Sequence, residues 1–131
     1  MLPLGQTQCK GYNYCVNWDV EFTDEFGEWY DRLSPLEQER IDAAVMKRQE
    51  LGPALGRPLA DTLEDPELPN LKKLRPGSVR ILYMFDPRRT AILLCGGDKR
   101  HRWDSFYEEM IPRAKRLHTE YLDELRQEGQ I

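Results

Sequence analysis

The chain has 131 residues, 40% hydrophobic and 32% charged, with a formal net charge of −4. This composition fits one soluble globular domain with an ordinary core and excludes a disordered chain; no apolar run reaches the ~20 residues that span a bilayer. Nine of the nineteen Lys and Arg residues fall between Asn70 and Trp103 beside only two acids, so that segment carries +7 and the remainder −11. A basic block in an acidic chain points to an anion-binding surface, with nucleic acid the leading ligand and a solvated face the simpler alternative.

Residues 1–16 read as an irregular lead-in without a signal-peptide pattern. The domain proper is expected over 17–127. Trp18-Asp19-Val20-Glu21-Phe22 alternates apolar and acidic residues, the period of a half-buried strand. Thr23 then offers an N-cap, and Phe26, Trp29, Tyr30 and Leu33 space out one face of a short helix. Ser34-Pro35-Leu36-Glu37 is a capping box with Pro at the first helical position. Ile41, Ala44, Val45 and Leu51 carry the buried stripe of that second helix, which Gly52-Pro53 stops. The pair forms an αα-hairpin.

From Gly52 to Pro69 the chain reads as a loop rich in Pro, Gly and acid. Three strands follow: a short one over Leu71 to Arg75, then Val79 to Phe85, then Thr90 to Cys95. In the second, Val79, Ile81, Tyr83 and Phe85 take one face and Arg80, Leu82 and Met84 the other. Asp86-Pro87-Arg88-Arg89 suits a type I turn, which makes the strands an antiparallel meander. Gly96-Gly97 is read as the terminator of the last strand. The C-terminal segment reads as helical but interrupted at Pro112, with Ala114, Leu117, Tyr121, Leu122 and Leu125 on its apolar face. His118 reads as surface.

Three cysteines, Cys9, Cys15 and Cys95, lack metal or disulfide-framework spacing, so a reducing cytoplasm is expected and Cys95 reads as a buried thiol. The acids from Asp61 to Glu67 lack the His or Cys partners of a zinc site, and no calcium-loop spacing occurs. No metal and no cofactor are expected.

Chemistry concentrates in the basic block. Arg80, inside an apolar strand, needs a partner: either a phosphate, which its planar fork suits, or a helix carboxylate such as Glu28 or Asp31. Lys73 and Arg75 point to one side of their strand, and with Arg80 they would converge on one patch; an edge strand guarded by lysines is the plainer account. Lys99, Arg100, His101 and Arg102 follow a strand end, where binding residues often lie. His101 is suited to proton transfer near neutrality. Trp103 and Tyr107 are placed for stacking on bases or for the core.

The stretch Asn70-Leu71-Lys72-Lys73-Leu74-Arg75-Pro76-Gly77-Ser78-Val79-Arg80-Ile81-Leu82-Tyr83 resembles the central strands of RelE/HigB-type toxins, including the phage-derived Gp49-like branch. Leu93-Leu94-Cys95-Gly96-Gly97-Asp98-Lys99-Arg100, with Trp103 and Tyr107 after it, resembles the last strand and following segment of that family. The resemblance spans about residues 17–125. It implies an α+β, RelE-like microbial RNase fold: a small antiparallel sheet with a mixed edge, packed against an N-terminal αα-hairpin and a C-terminal helix.

The resemblance also implies the toxin of a type II toxin–antitoxin system, an mRNA interferase that cuts message in the ribosomal A site without a metal. The 2′-hydroxyl attacks its own 3′-phosphate, giving a 2′,3′-cyclic phosphate and a free 5′-hydroxyl. By resemblance Lys73 is the base or an electrostatic partner, and Arg75 and Arg80 stabilise phosphate. Lys99 and Arg100 serve the leaving group and phosphate, and Tyr107 stacks or transfers a proton. Lys72, His101, Arg102 and Trp103 contact RNA, with His101 an alternative base. Lysine acts as a base only when neutral, and crowding among like charges favours that form.

The implied partners are a cognate antitoxin with a DNA-binding helix-turn-helix, mRNA and the ribosome, with no membrane; a homodimer is compatible. Two departures stand out. Leu71 replaces a second strand lysine of relatives, and the chain is acidic where such toxins are basic. A ParE-like inhibitor of DNA gyrase is the main alternative activity, and a non-enzymatic phage-derived binding module is another.

Overall fold

The computed structural model describes residues 19–51, 60–62, 70–101 and 105–131. The lead-in over 1–16, Arg102 and Trp103 lie outside them. Strand β1 (Val20–Phe22) leads into helix α1 (Asp24–Asp31) and helix α2 (Pro35–Leu51). Strands β2 (Ala60–Thr62), β3 (Lys72–Leu74), β4 (Val79–Phe85) and β5 (Ala91–Asp98) follow, then a 3-10 turn over Lys99–His101 and helix α3 (Phe106–Gln127). The described strands form one sheet ordered β1-β5-β4-β3-β2. All neighbours are antiparallel except β1, which runs parallel to β5 at the edge.

The caps form as their chemistry dictates. The Thr23 hydroxyl accepts from the Phe26 amide at 3.1 Å and donates to the Leu94 carbonyl at 2.6 Å, so one side chain starts α1 and ties it to β5. A cap of this kind contributes about 1 kcal/mol. Ser34 Oγ accepts from the Glu37 amide at 3.3 Å while Glu37 Oε1 accepts from the Ser34 amide at 3.2 Å, the reciprocal pair of a capping box.

Both faces of the sheet are buried, and β4 divides the core by alternation. Val79, Ile81 and Tyr83 pack with Phe26 and Tyr30 of α1 and Ile41 and Val45 of α2. Leu82 and Met84 pack with Phe106, Met110, Ala114 and Leu117 of α3. A bulge in the β4–β5 pairing, where Leu82 faces Cys95 but Tyr83 faces Leu93, sends both Leu94 and Cys95 to the α3 side. Cys95 is buried there, and burial pushes its thiol up to about 12.

Three expectations are corrected. Gly96-Gly97 does not end a strand, because β5 continues to Asp98. The glycines admit the two helical layers instead. A Cβ on Gly96 would overlap the Trp29 ring of α1, and one on Gly97 would lie 2.9 Å from the Phe106 ring of α3.

The loop expected over 52–69 contains β2, which pairs antiparallel with β3 and sets Asp61 opposite Lys73. Ala60-Asp61-Thr62 has no apolar alternation, so the open backbone of β3 and not its own pattern makes it a strand. Finally, α3 is one uninterrupted helix containing Pro112. The carbonyl that Pro112 leaves without a helical donor belongs to Glu108, and both residues are exposed, so water can serve it.

A candidate phosphate site at the start of α3

The β3–β4 register places Lys73 beside Leu82, on the α3 side of the sheet. From there Lys73 Nζ lies over the Tyr107 ring, 4.9 Å from its centroid. Lys99, in the turn after β5, reaches the same ring, with Nζ 5.2 Å from the centroid. Cation–π contacts of this kind contribute about 0.5–1 kcal/mol each at exposed sites. Tyr107 is braced edge-on by the buried Phe106, at 5.1 Å between centroids. Its hydroxyl is buried without a hydrogen-bond partner.

Arg80 stands on the same face, opposite Gly97 in the β4–β5 register and only 8% exposed. Neither Glu28 nor Asp31 is its partner, which corrects the carboxylate alternative: α1 packs on the other face of the sheet. Arg80 Nη1 donates to the carbonyls of Gly77 at 2.6 Å and Val79 at 2.8 Å, while its Nε is buried without an acceptor. Gly77 makes this arrangement available by adopting φ +67° in the turn before β4, a conformation that favours glycine. Backbone dipoles satisfy part of the guanidinium without neutralising it. Arg75 follows β3, where the register continued one step sets it opposite Arg80.

The structure therefore brings together Lys73, Lys99, Tyr107, Arg80 and Arg75 at one end of the sheet. Of the other expected residues, Lys72 and Arg100 are turned elsewhere, while Arg102 and Trp103 lie outside the described residues. Lys72 pairs with Tyr83 and so belongs to the α1/α2 face, as strand alternation dictates. Arg100 turns to Asp98, with Nη2 2.6 Å from Oδ2 and Nε donating to both carboxylate oxygens. That fork, with the backbone bond from Arg100, holds the Asp98 carboxyl down at about 2. The backbone of His101 lies in the 3-10 turn. His118 is half-buried on α3 rather than fully on the surface, and burial lowers its pKa.

The basic block also divides in space. Arg88 sits in the β4–β5 turn, about 20 Å along β4 from Arg80. It donates to Asp86 at 2.7 Å through Nε and to Glu21 at 2.8 Å through Nη2, and Tyr121 donates to the same Glu21. Asp86 also accepts the backbone amides of Arg88 and Thr90 at 2.8 and 3.0 Å. Burial alone would raise the Glu21 carboxyl, but hydrogen bonds from Arg88 and Tyr121 outweigh it and hold the group below its ordinary value. The tight Asp-Pro-Arg-Arg turn was the sequence signal for this network; the distant partners Glu21 and Tyr121 left none.

Among the described residues no cluster of three or more His, Cys, Asp or Glu is arranged to hold a metal, and no helix is long and apolar enough to cross a membrane.

A family model described as phage-derived protein Gp49-like (DUF891) matches residues 28–119. HigB2 of Mycobacterium tuberculosis, which carries the name of a toxin, is 40% identical over 112 residues, covering 82% of this chain. The chain spans about half of that relative's length, 55%. HigB3 of the same organism, also named as a toxin, is 40% identical over 96 residues, covering 72% of this chain and 84% of that protein. Among solved structures, the archaeal RelE–RelB complex of Pyrococcus horikoshii matches with a TM-score of 0.51 at 15% identity, over 63% of this chain and 96% of that one. The RelB–RelE antitoxin–toxin complex of Methanococcus jannaschii matches with a TM-score of 0.50 at 17% identity, over 66% and 99%. At those identities the structural likeness establishes a shared fold.

Proposed function

The chain belongs to the phage-derived Gp49-like branch of the RelE/HigB-type toxins, and on that premise we propose that it is the toxin of a type II toxin–antitoxin pair that cleaves mRNA without a metal. The observation that carries this reading is the meeting of Lys73 and Lys99 on Tyr107 beside Arg80. Like charges gathered at one place oppose folding, and a bound phosphodiester offsets them.

In the proposed reaction the 2′-oxygen loses its proton and bonds to the adjacent phosphorus. The P–O5′ bond then breaks, and O5′ takes a proton. Charge on the phosphorane oxygens is greatest between these steps, where Arg80 and Arg75 supply fixed positive charge. Lys73 approaches Tyr107 from β3 and Lys99 from the turn after β5, so one would stand towards the attacking oxygen and the other towards the leaving oxygen. Tyr107, braced by Phe106, holds both ammonium groups in place beside the phosphate. The partner would be a helix-turn-helix antitoxin that covers this end of the sheet, and the setting a reducing cytoplasm with ribosome-bound message as substrate.

Mapping of RNA 5′ ends after induction tests the reading. Cuts bearing a 5′-hydroxyl should appear in translated messages, persist in EDTA-treated extracts, and vanish with Lys73→Ala or Lys99→Ala. Intact messages accompanied by DNA breaks would instead place the chain with gyrase inhibitors.

A further inference from the structure

Asp98, Lys99 and Arg100 are consecutive, yet they serve opposite faces of the sheet. Lys99 reaches Tyr107 on the α3 side. Asp98 lies opposite Val79, whose side chain packs with α1 and α2, so its carboxylate projects to that other side. There it accepts from the Arg100 backbone amide at 2.9 Å, from Arg100 Nε and Nη2, and from the Ser78 side chain. Glu37, at the start of α2, adds an attractive charge on Arg100 from the same direction. The Arg100 guanidinium is thus drawn away from the Lys73–Tyr107–Lys99 cluster.

The two partners differ in exposure. Asp98 is anchored in β5 with its side chain 17% exposed, and the neighbouring Lys99 amide is fixed by the Ser78 carbonyl at 3.1 Å. The Arg100 side chain is 66% exposed, and among the described residues its hydrogen-bond anchor is Asp98. Ion pairs in open solvent are weak and readily exchange one anion for another. A phosphodiester offers Arg the same planar two-oxygen acceptor that a carboxylate does.

We propose that Asp98 is a positioning residue that parks Arg100 on the α1/α2 side of the sheet until a phosphate of bound RNA takes its place as acceptor. The proposal rests on the reading of the Lys73–Tyr107–Lys99 cluster as an RNA-phosphate site. Its consequence is that the free protein withholds one cation from the site, and that binding RNA requires the guanidinium to exchange Asp98 for phosphate. Asp98 would then set the affinity for RNA through Arg100 without touching the substrate.

The test is a double-mutant cycle on the full chain. Binding of a short, fluorescently labelled 2′-O-methyl single-stranded RNA is measured for wild type, Asp98→Asn, Arg100→Ala and the double variant. Asparagine keeps an acceptor for the Arg100 amide and for Ser78 while removing the charge. Asp98→Asn should bind about two- to fivefold tighter, and the gain should disappear in the Arg100→Ala background. A gain that survives without Arg100 would mean a general charge effect and overturn the proposal, as would a normally folded Asp98→Asn protein that binds no tighter.

In the wild type, the Arg100 Nε–H resonance should move on adding the same RNA. A static resonance in an RNA-bound protein would also overturn the clasp, independently of any variant. If wild type and all variants fail to bind RNA, the phosphate-site reading itself falls and takes the clasp with it. Binding without coupling between Asp98 and Arg100 removes the clasp alone.

Discussion

The two ends of the β4–β5 ribbon hold arginines in opposite ways. At the turn end, Arg88 is forked between Asp86 and Glu21, and Tyr121 completes the set from α3. At the other end, Arg80 leans on the carbonyls of Gly77 and Val79 while Lys73 and Lys99 lie on an aromatic ring. One end is closed by carboxylates and joins β1, β4, β5 and α3 into a single unit. At the other, carbonyl dipoles and a π-face orient the cations from the α3 side of the sheet, and such contacts position a charge without cancelling it.

The largest effect that would sharpen this contrast is on activity. Arg80→Ala should leave the far-ultraviolet circular dichroism unchanged and reduce RNA cleavage about 10²- to 10³-fold, as for removal of one electrostatic stabiliser from a catalytic site. An unfolded Arg80→Ala protein would break the contrast by showing that this arginine is also structural.

Arg88→Ala should do the reverse. It leaves Asp86, whose side chain is fully buried, without its guanidinium, and Glu21 without its ion pair. Because Glu21 and Arg88 are partly exposed and Asp86 retains two backbone amides, the expected cost is about 2–3 kcal/mol in denaturant unfolding, below that of a wholly buried pair. Cleavage by the folded fraction should be unaltered.

The smallest effect is in pH dependence. The folded-state pKa of Glu21 lies below its ordinary 4.5, so its contribution to stability is present above that value and lost as pH falls through the folded pKa. Wild-type stability should decline on acidification below about 4.5 more steeply than that of Glu21→Gln, as read from urea midpoints across that range. Equal slopes would show that the turn-end network is not held by charge.

Much of the architecture was legible in the residues. Thr23 and the Ser34–Glu37 box marked both helix starts, and the alternation in Val79–Phe85 correctly divided the two cores, because these signals act within a few residues of themselves. The candidate site was legible in part. The alternation that placed Lys73 beside Arg80 was sound, but the same rule applied one residue earlier sends Lys72 to the other face. The interrupted C-terminal helix failed for a physical reason: a proline's cost depends on whether the carbonyl it orphans meets water, and helix α3 presents Glu108 to solvent.

What the sequence determined by itself was local: the caps, the turns, the alternation that gives β4 two buried faces, and the existence of a basic block. Only the tertiary structure decided how that block is used. Strand direction carries Arg88 to one end of the sheet and Arg80 to the other. Packing against Trp29 and Phe106 makes strand residues of Gly96 and Gly97. The edge of β3 recruits β2. A charge count sums over the chain, whereas a phosphate meets only the cations that folding brings within a few ångströms of one another. In this protein folding sets Lys73 and Lys99 on Tyr107, places Arg80 on the same face, and turns Arg100 to Asp98 on the other.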